Sequence, residues 1–180
     1  PPHNYSEQLY QRYKKAIADY LTAHVLPAVR SQTGQYMLKE IGKRWTHHKI
    51  NVKWMKSFFS YLDRFHTKRQ NLPSMRDVGM QCFKDVIHEA TSTDVRTAIL
   101  DLVEQERLGR QVDHGLLKSV VEIFVEMGMG VLEVYINDFE SQFLEDTSAF
   151  YAREAQRWLQ EDVLPDYLIK AEEHLKLEGD

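Results

Sequence analysis

The chain has 180 residues, is 43% hydrophobic and carries a formal net charge of −4, which is enough apolar content for one ordinary core or for a few helical repeats sharing one. A single cysteine, Cys82, excludes an intramolecular disulfide, and no Cys/His cluster has metal-ligand spacing, so a reducing compartment, cytoplasm or nucleus, is expected. No apolar run reaches the length of a membrane span, about 18 residues, and the opening PPHNYSEQLY has neither the charged nor the apolar region of a signal peptide.

Period-3.6 patterning runs through almost the whole chain and strand-like alternation is nowhere sustained, which predicts an all-α protein. From Glu7 to about Arg30 the positions Leu9, Tyr13, Ile17, Tyr20 and Leu21 mark a first helix, with Ser6 as N-cap and Pro27 expected to kink or end it. Thr33-Gly34 then precedes a second helix carrying Met37, Leu38, Ile41 and Trp45. A third runs from about Ile50 to Arg69, where Asn71-Leu72-Pro73-Ser74 supplies a turn and a new cap.

The remainder predicts helices over 75–90, 94–108, 113–127, 131–145, 147–161 and 165–178, with short joints at Thr91-Ser92-Thr93, 109–112, 128–130, Asp146-Thr147 and Pro165. Asp113 and Thr147 suit N-caps, and Gly109 and Gly128 suit helix ends that need a residue tolerant of positive φ. Short connections between many helices imply a stack of antiparallel neighbours.

Charge is graded along this series. Residues 1–70 carry 13 Lys/Arg against 4 Asp/Glu (+9), residues 71–130 carry 6 against 10 (−4), and residues 131–180 carry 4 against 13 (−9). The gradient marks either a basic face for an acidic partner or a lopsided solvated surface.

Residues 50–69 bury too much for an ordinary helix. On a helical wheel Ile50, Tyr61, Trp54, Phe65, Phe58, Leu62, Met55, His66, Phe59 and Val52 share an arc of roughly 200°, twice the usual stripe. Two readings follow: a central helix covered on two sides by its own chain, or a helix with one side left for a partner, where aromatic and Met side chains make good anchors.

Catalytic constellations are lacking in the sequence. His47-His48 point about 100° apart on a helix and cannot share a metal unaided. Cys82 in MQCFKDV reads as a core thiol, Gly128-Met129-Gly130 as a turn without a phosphate-binding context, and Glu104, Glu106, Asp138 and Glu140 as a solvated face. The basic first third with Trp45, Trp54 and Tyr61 lacks any nucleic-acid motif. The expectation is a protein without catalytic residues, metal or cofactor, and with no nucleic-acid or membrane partner.

From Trp45 onward the residues carry a resemblance. RWTHHKINVKWMKSFFSYLDRFH, with Tyr61-Leu62-Asp63-Arg64, LVEQERLGRQVDHGLLKSVVEIFVEMG (102–128) and YINDFESQFLEDTSAFYAREAQRWL (135–159), followed by PDYLIKAEEHLKLE, resemble in order the N-terminal stalk of cullins, most of all the SCF-type cullins in their plant-like form. The resemblance implies an elongated stack of five-helix cullin repeats with the first truncated: 7–69 the end of repeat one, 75–161 repeat two, and 165–180 the start of repeat three.

It further implies a non-catalytic scaffold of a cullin-RING ubiquitin ligase, cytoplasmic and nuclear. Such a stalk holds a BTB/POZ-fold Skp-type adaptor, and through it F-box substrate receptors, while a C-terminal domain absent from this segment recruits a RING-box protein. The chain lacks a starting Met and reads as a piece of a longer protein. In the family the second and fifth helices of repeat one grip the adaptor, and the fifth matches residues 50–69. This assigns Val52, Met55, Lys56, Phe59 and His66 to the adaptor edge, with Lys56 at the rim, and Trp54, Tyr61 and Phe65 to the core edge. A histidine at 66 departs from the aromatic that relatives place there. Two absent helices would leave apolar surface on residues 9–45, a cause of self-association. The other reading is a generic helical-repeat tether unrelated to ubiquitin.

Overall fold

A computed structural model describes residues 5–161 and 163–179, and every regular element among them is helical. Helix α1, residues 5–30, runs as Tyr5–Tyr20, a π turn over Leu21–Val25, and Leu26–Arg30. The widened π turn ends at Val25, two residues before Pro27, so the ring enters in the first turn of a new segment and the rod continues, where the sequence predicts a kink or an end. Ser6 lies within α1 and not ahead of it.

Helix α2 spans residues 34–70: Gly34–Phe58, a break at Phe59 (φ −96°, ψ 24°), Ser60–Leu62, a π turn over Asp63–Thr67, and Lys68–Gln70. The predicted second and third helices are therefore one rod. Nothing between Trp45 and Ile50 breaks a helix, and buried His48 is pinned there by a 2.8 Å hydrogen bond from Nε2 to the Gly79 carbonyl. The rod ends at Asn71, which takes left-handed φ 52°. Ser74 then caps α3, its hydroxyl accepting from the Asp77 amide (3.2 Å), while Asp63 accepts from the Met75 amide (2.8 Å) and ties the start of α3 to α2.

Helix α3, residues 75–107, runs through the predicted joint at Thr91-Ser92-Thr93 without interruption. Buried Thr91 donates to the Ile87 carbonyl one turn back (2.7 Å), so its hydroxyl is satisfied inside the helix and has no cap to make. Gly109 (φ 79°) turns the chain, and Asp113 caps α4, His114–Met127, by accepting from the Leu116 amide (3.0 Å). Gly128 differs from expectation, for it is right-handed and the left-handed positions fall on Met129 (φ 49°) and Gly130 (φ 106°). Space is what requires glycine at 128, since a Cβ there would lie 1.8 Å from the Val131 carbonyl oxygen.

Helix α5 spans residues 133–161, and the predicted joint at Asp146-Thr147 is again continuous. Thr147 does not cap; it donates back to the Phe143 carbonyl (2.7 Å). Helix α6 is Leu164–Gly179.

The core lies where α2, α3 and α4 meet. Trp45 packs on Phe83 (ring centroids 4.9 Å), and Phe124 stands between His88 (5.1 Å) and Phe139 (5.7 Å). Trp45 donates its indole N–H to Glu126, which Lys49 also binds at 2.8 Å, clamping α2 to α4. Arg96 meets Asp138, and Arg107 meets Thr147. The two pairs fall in the same order along both rods, so α3 and α5 run parallel.

Candidate protein-binding face

Three of the carboxylates singled out in the sequence are engaged in ion pairs. Asp138 accepts from His88 (2.7 Å), Glu104 pairs with Arg153 (3.2 Å), and Glu106 pairs with His114 (2.7 Å). Burial pushes the Cys82 thiol above its ordinary pKa, away from thiolate reactivity. Burial likewise pushes His48 below its usual value and outweighs the hydrogen bond to Gly79, so it stays a neutral core ring. Among the described residues no group of three or more His, Cys, Asp or Glu is placed to hold a metal ion.

The unusual surface is the second half of α2. Its wide apolar arc is real, and apart from Met55, exposed over a groove, it divides in two. One half turns inward: Val52, Leu62 and His66 are buried and Phe59 is partly buried. The other half faces solvent, with Phe58 83%, Trp54 72%, Tyr61 66% and Phe65 42% exposed, and Ile50 beside them. Trp54, Phe58, Tyr61 and Phe65 follow one another at steps of four, three and four residues, the spacing that keeps side chains on a single helical stripe. The Tyr61 and Phe65 rings meet at 4.8 Å, tilted by 38°. Lys53, Lys56, Arg64, Lys68 and Arg69 are exposed around the stripe. The one acid of this stretch, Asp63, is occupied by the Met75 amide.

The sequence-based division of the arc is thus reversed for Val52, His66, Trp54, Tyr61 and Phe65, while Met55 (43% exposed) and Lys56 lie on the outside as expected. Val52 and His66, expected on the outer edge, are core residues: Val52 lies against Gly79, and His66 Nε2 reaches Glu7 (3.0 Å) with its ring edge-on to Tyr10. Trp54, Tyr61 and Phe65, expected inside, are outside. Met55 and Phe59 face a groove instead, and Lys56 is exposed. The signal missed in the sequence is Gly79 in MRDVGMQC. A Cβ there would stand 2.6 Å from Val52 Cγ2 and 3.0 Å from the Tyr13 hydroxyl, so only a glycine lets α1 and α2 approach α3 this closely. That contact fixes which half of the arc points in.

The groove, about 520 Å³, lies between α1 and α2. Leu9, Tyr13, Ile17, Val52, Met55 and Phe59 make its apolar walls, with Arg12, Arg44 and His47 among its polar lining. Burial of the Tyr13 hydroxyl, which donates to the Met75 carbonyl (2.9 Å), pushes its pKa up to about 12.

Comparison with known proteins accounts for the arrangement as a whole. Residues 2–180 match the cullin alpha solenoid domain. Cullin-2 of Arabidopsis thaliana is 47% identical over 178 residues, covering 99% of this chain and 24% of that protein. Cullin-1 of Oryza sativa subsp. japonica is 46% identical over 82% of this chain and 20% of its own length. Cullin-4A of Homo sapiens is 34% identical over 99% of this chain and 23% of its own. The chain therefore spans about a quarter of the length of these relatives. An all-helical solenoid matched from end to end identifies the chain as a member of the cullin family.

Proposed function

We propose that this chain is the adaptor-holding part of a cullin scaffold in a cullin-RING ubiquitin ligase of the SCF type. In this reading the exposed stripe Trp54, Phe58, Tyr61 and Phe65 seats a BTB/POZ-fold Skp-type adaptor, which brings F-box receptors and their substrates. A RING-box protein binds a region of the longer protein beyond this segment, and the complex works in cytoplasm and nucleus. The scaffold contributes no reacting group; it raises the effective concentration of substrate at the ubiquitin-charged enzyme.

The observation that carries the reading is the stripe itself. Four aromatic side chains stand in water on one helix, with a rim of exposed basic residues. Burying each against a partner contributes about 1.5–3 kcal/mol, so three or four account for a stable interface. The basic rim selects an acidic partner and speeds its approach. The groove between α1 and α2 takes the helices that the resemblance puts ahead of α1, and Met55 and Phe59 then pack inside the completed repeat.

The test is binding of a purified Skp-type adaptor to the protein, with Trp54→Ala/Phe58→Ala beside Lys56→Ala. Loss of binding in the aromatic pair, with a milder and salt-dependent loss for Lys56→Ala, supports the reading. No binding by the unaltered protein favours another adaptor class or a plain helical tether.

A further inference from the structure

Arg107, at the last turn of α3, is a buried charge. Its guanidinium lies over three rings of α5, those of Phe150 (5.2 Å), Tyr151 (5.5 Å) and Phe143 (5.8 Å), and donates to the Thr147 hydroxyl (2.8 Å). This is an aromatic cage for a cation, built wholly from α3 and α5. It is closed from outside by Glu178 of α6, which accepts from Arg107 Nε (2.6 Å) and Nη2 (3.1 Å) and from the Tyr151 hydroxyl (2.7 Å).

Ring contacts also join α6 to α5, Tyr151 meeting His174 at 5.8 Å. Trp158 packs against His174 (5.0 Å) and, more distantly, Tyr167 (6.3 Å). Leu168, Ile169 and Leu175 of α6 stay exposed. The forked Arg107–Glu178 bond is directional in a way those ring contacts are not, because a guanidinium and a carboxylate fit in one plane only.

We propose that Arg107 in its aromatic cage is a carboxylate socket that receives Glu178 and locks the orientation of α6 on the α3–α5 body. Without the carboxylate, α6 loses this directional contact and turns more freely on the α3–α5 body. Protonation acts in the same direction. Burial pushes Glu178 up, but the hydrogen bonds from Arg107 and Tyr151 and the Arg107 charge outweigh it and leave the carboxyl below its ordinary value. The socket therefore holds above the ordinary carboxylate pKa and empties as pH falls through the lowered one. The lock follows from this geometry alone and stands whether or not the adaptor reading holds.

The test is a spin-label distance distribution between Ser119→Cys on α4 and Glu173→Cys on α6; Cys82 is buried and stays unlabelled in the folded chain. Glu178→Gln keeps the size of the side chain and removes its charge, and Arg107→Lys keeps the charge and removes the fork. Each is expected to raise the undocked fraction of α6 about tenfold and to broaden the distribution, with helicity unchanged. Glu172→Gln, on the same helix but outside the socket, is expected to leave it narrow. Should Arg107→Lys misfold, Glu178→Gln decides alone. A distribution for Glu178→Gln as narrow as the parent's, or Glu172→Gln broadening equally, overturns the proposal.

Discussion

Val52 of α2 rests on Gly79 of α3 so closely that a Cβ on the glycine would lie 2.6 Å from Val52 Cγ2. The Gly79 carbonyl also receives His48, and the Tyr13 hydroxyl stands 3.0 Å from the same absent Cβ. One glycine thus sets the approach of three helices and, through Val52, the direction in which the aromatic stripe faces.

Gly79→Ala is expected to destabilise the protein by about 1–3 kcal/mol, because the stiff, β-branched Val52 cannot yield and the helix-propensity gain of about 1 kcal/mol is smaller than the overpacking cost. Denaturant unfolding of the variant checks this. A more stable variant would mean that the contact is loose.

Truncation on the two halves of the α2 arc should give opposite results. Val52→Ala removes buried surface and is expected to cost about 1–3 kcal/mol. Trp54→Ala and Phe58→Ala remove exposed side chains and are expected to change stability by less than about 0.5 kcal/mol each. Thermal and urea unfolding of the three variants side by side measure the difference. Comparable losses at all three positions would show that the stripe is covered within the chain itself.

How much of this was legible in the sequence follows from the same contact. Periodicity located the helices and the width of the arc, since both depend on side-chain type at fixed angular steps. It could not orient the arc, because either half is apolar enough to be core, and the outer one is the more aromatic. The deciding residue is small, 27 positions beyond Val52 in sequence, and visible only once α3 is laid against α2. The joints at Thr91–Thr93 and Asp146-Thr147 misread for a local reason: threonine favours caps, but a hydroxyl that donates one turn back is equally content inside a helix. Ser74 and Asp113, next to real chain reversals, read correctly as caps.

Stability should decline in mild acid through His48. Its folded-state pKa lies below the unfolded value near 6.5, so its contribution is fully present above that value and is lost as pH falls from there through the folded one. Unfolding free energy is expected to fall as pH is lowered below about 6.5. His48→Gln, which keeps a donor for the Gly79 carbonyl, should be flatter over that window. Equal slopes in parent and variant would place the titration elsewhere.

Glu126→Ala should loosen α4 from α2, since buried Trp45 then has no acceptor for its indole N–H. The expected cost is about 1–3 kcal/mol, the penalty of a buried unpaired donor. Glu126→Gln restores an acceptor and should recover most of it. Hydrogen exchange at the Trp45 indole reads the change directly, and unaltered protection in Glu126→Ala would contradict it.

The central claim is that the outward half of the α2 arc, and not the half against Gly79, meets a partner. The most direct test is the affinity of a Skp-type adaptor for the protein and for its Trp54→Ala/Phe58→Ala variant, with folding verified by helicity and unfolding temperature. The account predicts a loss of about 2 kcal/mol or more in a fully folded variant, a hot-spot magnitude. An adaptor that binds the folded variant as tightly as the parent would contradict it.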